Sequence, residues 1–121
     1  MRTVVFLLSL VAMGAQQTAV DREAWNRPVE PFRIIGNVYY VGAEGVSAFL
    51  IRTRDGLVLL DGALPETAPR IARNISTLGF NPRDVKVLIN SHAHFDHGGG
   101  LAELKRLTGA SLAVSGPDTD R

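Results

Sequence analysis

The apolar run Leu57-Val58-Leu59-Leu60, a repeat of Ala68, Ile71, Ala72, Ile75 and Leu78 at three- and four-residue spacing, and the run Val85-Lys86-Val87-Leu88-Ile89 follow one another directly. A strand, an amphipathic helix and a second strand in that order imply a layered α/β arrangement. Pro65 and Pro69 near the start of the repeat and Gly79 just after it suit the two ends of the helix. A continuous apolar run such as 57–60 is the pattern of a strand buried on both faces.

Three short strands are expected upstream, at Arg33-Ile34-Ile35, Asn37 to Val41 and Val46 to Ile51, where β-branched and aromatic residues are separated by glycine. Arg54-Asp55-Gly56 is a turn signal that predicts a hairpin into 57–60. Downstream, Leu101, Leu104 and Leu107 predict a second helix stopped by Gly109, with Ser111 to Val114 as the next strand and Ser115 to Asp118 as a connection. Trp25, Phe32, Tyr39 and Tyr40 read as packing residues.

With 121 residues, 45% of them apolar, the chain is one small globular unit. Thirteen basic against twelve acidic residues give no basic stripe, and nucleic acid is excluded as a partner. No cysteine is present, so disulfides, zinc fingers, iron–sulfur clusters and thiol nucleophiles drop out. Any metal must be held by nitrogen and oxygen.

Met1-Arg2-Thr3, the apolar stretch Val4 to Met13 and the small residues Gly14 and Ala15 have the three parts of a secretory signal peptide. The stretch is too short to span a bilayer, so no membrane anchor is expected in the mature chain, which would be periplasmic or secreted. The expected organisation is a signal peptide over 1–14, a surface segment over 15–31 anchored by Trp25, and a folded unit over 32–121.

All three histidines lie in Ser91-His92-Ala93-His94-Phe95-Asp96-His97, directly after a predicted strand and before a glycine run. In an extended segment His92 and His94 project to the same side and can grip one cation, while Asp96 and His97 diverge where the chain turns and can reach a second. Three imidazoles and a carboxylate without sulfur suit zinc best, with iron and manganese the other candidates. Gly98-Gly99-Gly100 leaves backbone room beside such a site. Asp61, at the end of the 57–60 run and before Gly62, has two readings: it supports a metal-bound histidine or the histidine loop by hydrogen bonding, or it caps a turn. Asn90 and Ser91 are expected to hold the loop.

The histidine segment is similar to the HxHxDH signature of the metallo-β-lactamase superfamily, with Leu59-Leu60-Asp61-Gly62 upstream where that superfamily ends a strand in aspartate. Trp25-Asn26, Pro31-Phe32, Asn37 to Gly42, Asn74 to Phe80 and Ser91 to Gly100 resemble the third subclass of class B metallo-β-lactamases. The resemblance implies an αββα sandwich of four layers built from two similar halves. It also implies two zinc ions, the first on His92 and His94, the second on Asp96 and His97. A zinc-bound hydroxide oriented by Asp96 would open a small-molecule β-lactam. In that family each zinc takes a further histidine from the second half, and none follows His97 here. The chain is therefore expected to be the N-terminal half of such a domain, inactive by itself and with one sheet face uncovered. Two alternatives stay open. One is another hydrolase of the superfamily, a glyoxalase II-like thioesterase or a lactonase; the other is a non-catalytic metal-binding module.

Overall fold

A computed structural model describes residues 21–114. The proposed signal peptide, the beginning of the surface segment and the connection after Val114 lie outside the described residues.

Six strands form one sheet in sequence order: β1 Phe32–Ile35, β2 Val38–Tyr40, β3 Phe49–Thr53, β4 Gly56–Leu60, β5 Val85–Ile89 and β6 Ser111–Ala113. The first four strands are antiparallel neighbours, whereas β4, β5 and β6 run parallel. The change of direction follows from the connections. The expected hairpin closes β3 on β4 with Thr53 opposite Gly56, while β4 reaches β5 through α1, Ala68–Thr77. From β5 the chain passes through α2, Phe95–Gly98, and α3, Leu101–Thr108, into β6. A parallel return needs such a crossover.

Helix α1 presents Ala68, Ile71, Asn74 and Ile75 inward, and α3 presents Leu101, Leu104 and Thr108. They pack with Leu50, Leu57, Leu59, Val85 and Leu88 into one core on one face of the sheet. Gly109 ends α3 in the left-handed conformation, φ +76°, as its position after the leucine repeat predicts. Asn74 is the exception in its stripe: its Nδ2 donates to the carbonyl of Val41 at 2.8 Å, fastening α1 to the loop after β2.

Two expectations are corrected. Strand β3 begins at Phe49 rather than at Val46. Residues 46–48 instead close a loop, with the Ala43 N–H donating to the Val46 carbonyl at 2.9 Å and the Val41 N–H to that of Ala48 at 3.0 Å. The run 57–60 is not covered on both faces. Leu57 and Leu59 are buried under the helices, while Val58 and Leu60 point to the other side and are only partly buried. The register aligns Ile35, Val38, Ile51, Val58 and Val87 across that second face, beside the row Phe32, Tyr40, Phe49, Leu60 and Ile89. Phe32 is 49%, Ile35 72% and Ile89 38% exposed. The described residues thus make a sheet layer and a helix layer, with an apolar face uncovered.

The described part of the chain before β1, residues 21–31, is mostly exposed. It is helical over 21–25 and bridges to the loop after β2, where the Gly45 N–H donates to the Trp25 carbonyl at 2.9 Å and Pro28 pairs with Ala43. No helix among the described residues is long and apolar enough to cross a membrane.

Candidate metal centre

The carboxyl ends of the parallel strands β4 and β5 are where loops of an open α/β sheet collect ligands. The loop after β5 carries the histidines, and the loop after β4 carries Asp61. The two are joined backbone to backbone. The Asp61 N–H donates to the Ile89 carbonyl at 2.8 Å, the Gly62 N–H to that of His97 at 2.7 Å, and the Gly100 N–H to that of Ala63 at 3.2 Å. A Cβ on Gly100 would stand 2.1 Å from the Gly62 carbonyl oxygen, so the glycine run is a condition for this dock.

Asp61 is 4% exposed and has φ +65°, a left-handed conformation that aspartate tolerates better than most residues. Its Oδ1 accepts from the Ser91 N–H at 2.7 Å and its Oδ2 from the Ser91 hydroxyl at 2.7 Å. The same Oδ2 lies 2.9 Å from His97 Nδ1. Burial pushes the Asp61 carboxyl up, but the hydrogen bonds from His97 and from both donors of Ser91 outweigh it and hold the group below the ordinary carboxylate range. Of its two readings, the geometry is that of a support for the histidine loop. A carboxylate on Nδ1 fixes the proton there and leaves Nε2 with its lone pair.

That nitrogen faces the site. His97 Nε2 lies 3.5 Å from Asp96 Oδ2, and one donor atom from each of His92, Asp96 and His97 falls within 4.8 Å of the others. The rings of His92 and His97 are 3.9 Å apart between centroids. His94 caps the start of α2, receiving the N–H groups of His97 and Gly98 on its carbonyl, and its ring packs edge-on against His92 at 4.5 Å. The spacing had put His92 with His94 and Asp96 with His97. In the structure donor atoms of His92, Asp96 and His97 lie close together, and the His94 ring packs against His92 beside them. Helix α2 starts within the motif and carries Asp96 and His97. The nitrogen and oxygen donors converge at a spacing that suits a divalent ion such as zinc.

Ser91 holds the loop as expected. Asn90 donates its N–H to the Ala113 carbonyl at 3.3 Å, while its buried Oδ1 has no partner among the described residues. Sequence reasoning passed over Arg22, which meets Phe95 within the motif.

Residues 41–120 match the profile of the metallo-beta-lactamase superfamily. Among solved structures, the Rm3 metallo-beta-lactamase is 52% identical with a TM-score of 0.76, over 78% of this chain and 35% of that one. A subclass B3 metallo-beta-lactamase isolated from a soil metagenome library is 55% identical with a TM-score of 0.71, over 73% of this chain and 33% of that one. An N-acyl homoserine lactonase of Bacillus cereus is 28% identical over 114 residues, 75% of this chain and 43% of its own length. The chain thus spans about a third of the length of these solved structures and less than half of this lactonase.

Proposed function

This chain belongs to the metallo-beta-lactamase superfamily, and from that premise we propose that it forms the metal-binding half of a secreted or periplasmic zinc hydrolase that opens β-lactam rings. The observation that carries the reading is the convergence of His92, Asp96 and His97 beside a buried carboxylate that fixes the orientation of His97. His92, His94, Asp96 and His97 would hold zinc, two ions in the whole protein. Bound zinc supplies Lewis acidity, which lowers the pKa of coordinated water to about 7 and polarises a carbonyl.

The chain's own residues do the rest. Asp61 holds the His97 ring with Nε2 turned inward, and Ser91 holds Asp61 through two donors. Asp96 presents a half-exposed carboxylate at the mouth, an acceptor that orients the attacking water toward the substrate carbonyl. The glycine run docked on residues 62–64 keeps the turn close to β4, so these groups are placed before substrate arrives.

Two solved relatives above 50% identity are metallo-beta-lactamases, which supports a β-lactam over other substrates. The lactonase likeness is weaker and supports the second reading, a lactone hydrolase. The discriminating experiment compares kcat/KM for a penicillin, a carbapenem and an N-acyl homoserine lactone on the zinc-loaded protein as its gene encodes it. Preference for either β-lactam by at least about tenfold, or 1.4 kcal/mol of barrier, is expected. Preference for the lactone would overturn the β-lactam assignment.

A further inference from the structure

Arg22 lies in the helical stretch 21–25, far in sequence from the histidine motif, and its guanidinium joins two other segments. It forks onto Glu66, with Nε 2.5 Å from Oε1 and Nη2 2.9 Å from Oε2. The same group lies over Phe95, with Cζ 4.4 Å from the ring centroid. Phe95 stands between His94 and Asp96 and is 51% exposed, so the guanidinium covers part of a ring that the core does not hold.

The platform beneath is itself fixed to the site. Glu66 follows Pro65 at the turn into α1, and a Cβ on Gly99 would stand 2.8 Å from Pro65 Cδ. A bidentate fork sets the guanidinium plane, and a cation on the face of an aromatic ring is attracted to it. Helix α2 has only four residues, too few to hold its shape without outside contacts.

We propose that Arg22 is a positioning residue for the metal centre: forked on Glu66 and laid over Phe95, it holds the His94–His97 turn in the conformation that brings the ligands together. The proposal rests on the reading of His92, Asp96 and His97 as metal ligands. Glu66 balances the charge of Arg22, so the effect on the site is one of placement. A contact of this kind can bias the ligand turn only by its own strength, about 2- to 5-fold for an exposed cation–aromatic pair.

The test uses the protein as its gene encodes it. Zinc affinity is measured by competition with a chromophoric chelator, and the visible spectrum is recorded after cobalt substitution, for Arg22→Met, Phe95→Leu, the double variant and Arg22→Lys. Arg106→Met, which breaks the exposed pair with Glu103 on α3, is the control. The expected result is that Arg22→Met and Phe95→Leu each weaken zinc binding about 2- to 5-fold and change the cobalt band. The double variant is then no weaker than either single one, Arg22→Lys recovers part of the loss, and Arg106→Met changes nothing. Wild-type zinc affinity and spectrum in Arg22→Met, or losses that add in the double variant, would overturn the proposal while leaving the metal reading intact. A wild-type protein that takes up neither ion would overturn both.

Discussion

Replacing Asp61 by asparagine separates its part in the metal centre from its part in the fold. The Ser91 N–H can only donate, so the asparagine oxygen must take the Oδ1 place, 2.7 Å from that nitrogen. The NH2 group then occupies the Oδ2 place, facing the Ser91 hydroxyl, which can turn to accept, and His97 Nδ1, which must now be an acceptor. The His97 proton moves to Nε2, the nitrogen that faces Asp96, and the lone pair needed for zinc is lost. Returning the proton to Nδ1 would break the neutral amide bond, about 0.5–1.5 kcal/mol, and leave two donors facing each other, about 1–3 kcal/mol more, so the cost of the binding tautomer is about 2–4 kcal/mol. That is about 30-fold or more in zinc affinity. The fold loses less, because asparagine tolerates φ +65° and keeps both bonds to Ser91. Asp61→Ala has the reverse profile. It strands the Ser91 donors and puts alanine in a left-handed conformation, but leaves His97 free to choose its tautomer. Chelator competition for zinc and thermal melting of the metal-free proteins should therefore rank the variants oppositely, with asparagine the weaker binder and alanine the less stable. Zinc binding by Asp61→Asn as tight as by the wild type, with melting unchanged, would refute the tautomer argument.

Gly100→Ala should destabilise the protein by about 3 kcal/mol or more because the added Cβ meets the Gly62 carbonyl. Gly79→Ala, where nothing lies within 4 Å and only φ +89° opposes the side chain, should cost about 1–2 kcal/mol; denaturant titration compares the two. Asn74→Ala should cost about 1–3 kcal/mol by leaving the Val41 carbonyl without its donor, read as an earlier melting transition. Asp61 is held below its unfolded pKa, so its contribution to metal-free stability is complete above about pH 4 and is lost as pH falls through the lower folded value. Acid titrations of melting temperature should accordingly show a shallower decline for Asp61→Asn than for the wild type.

The elements legible in the sequence are those with a long period or a sharp stop: α1 from its apolar repeat, α3 from its leucines and Gly109, and the β3–β4 hairpin from Arg54-Asp55-Gly56. Composition misled where it carries no register. Val46 to Ala48 look like strand, yet their carbonyls close a local loop, and Leu57 to Leu60 are uniformly apolar though only alternate residues meet the helices. The candidate ligands were legible because they are contiguous. The short helix that starts inside the motif was not, since four residues are too few to show a period. Asp61 stayed divided between turn and support because its partners, Ser91 and His97, lie 30 and 36 residues away. Arg22 gave no signal at all: an arginine on a surface helix is ordinary until the fold lays it on Phe95. Asn74 left one trace, a polar residue inside an apolar stripe.

The dependence of hydrolysis on zinc is read by following a chromogenic β-lactam with the protein as its gene encodes it, before and after exhaustive chelation and after zinc is returned. Turnover is expected to disappear with the metal, to return with zinc, and not to return in a His92→Ala/His97→Ala variant that still folds. Turnover that survives chelation, or that persists in that variant, would contradict the zinc dependence.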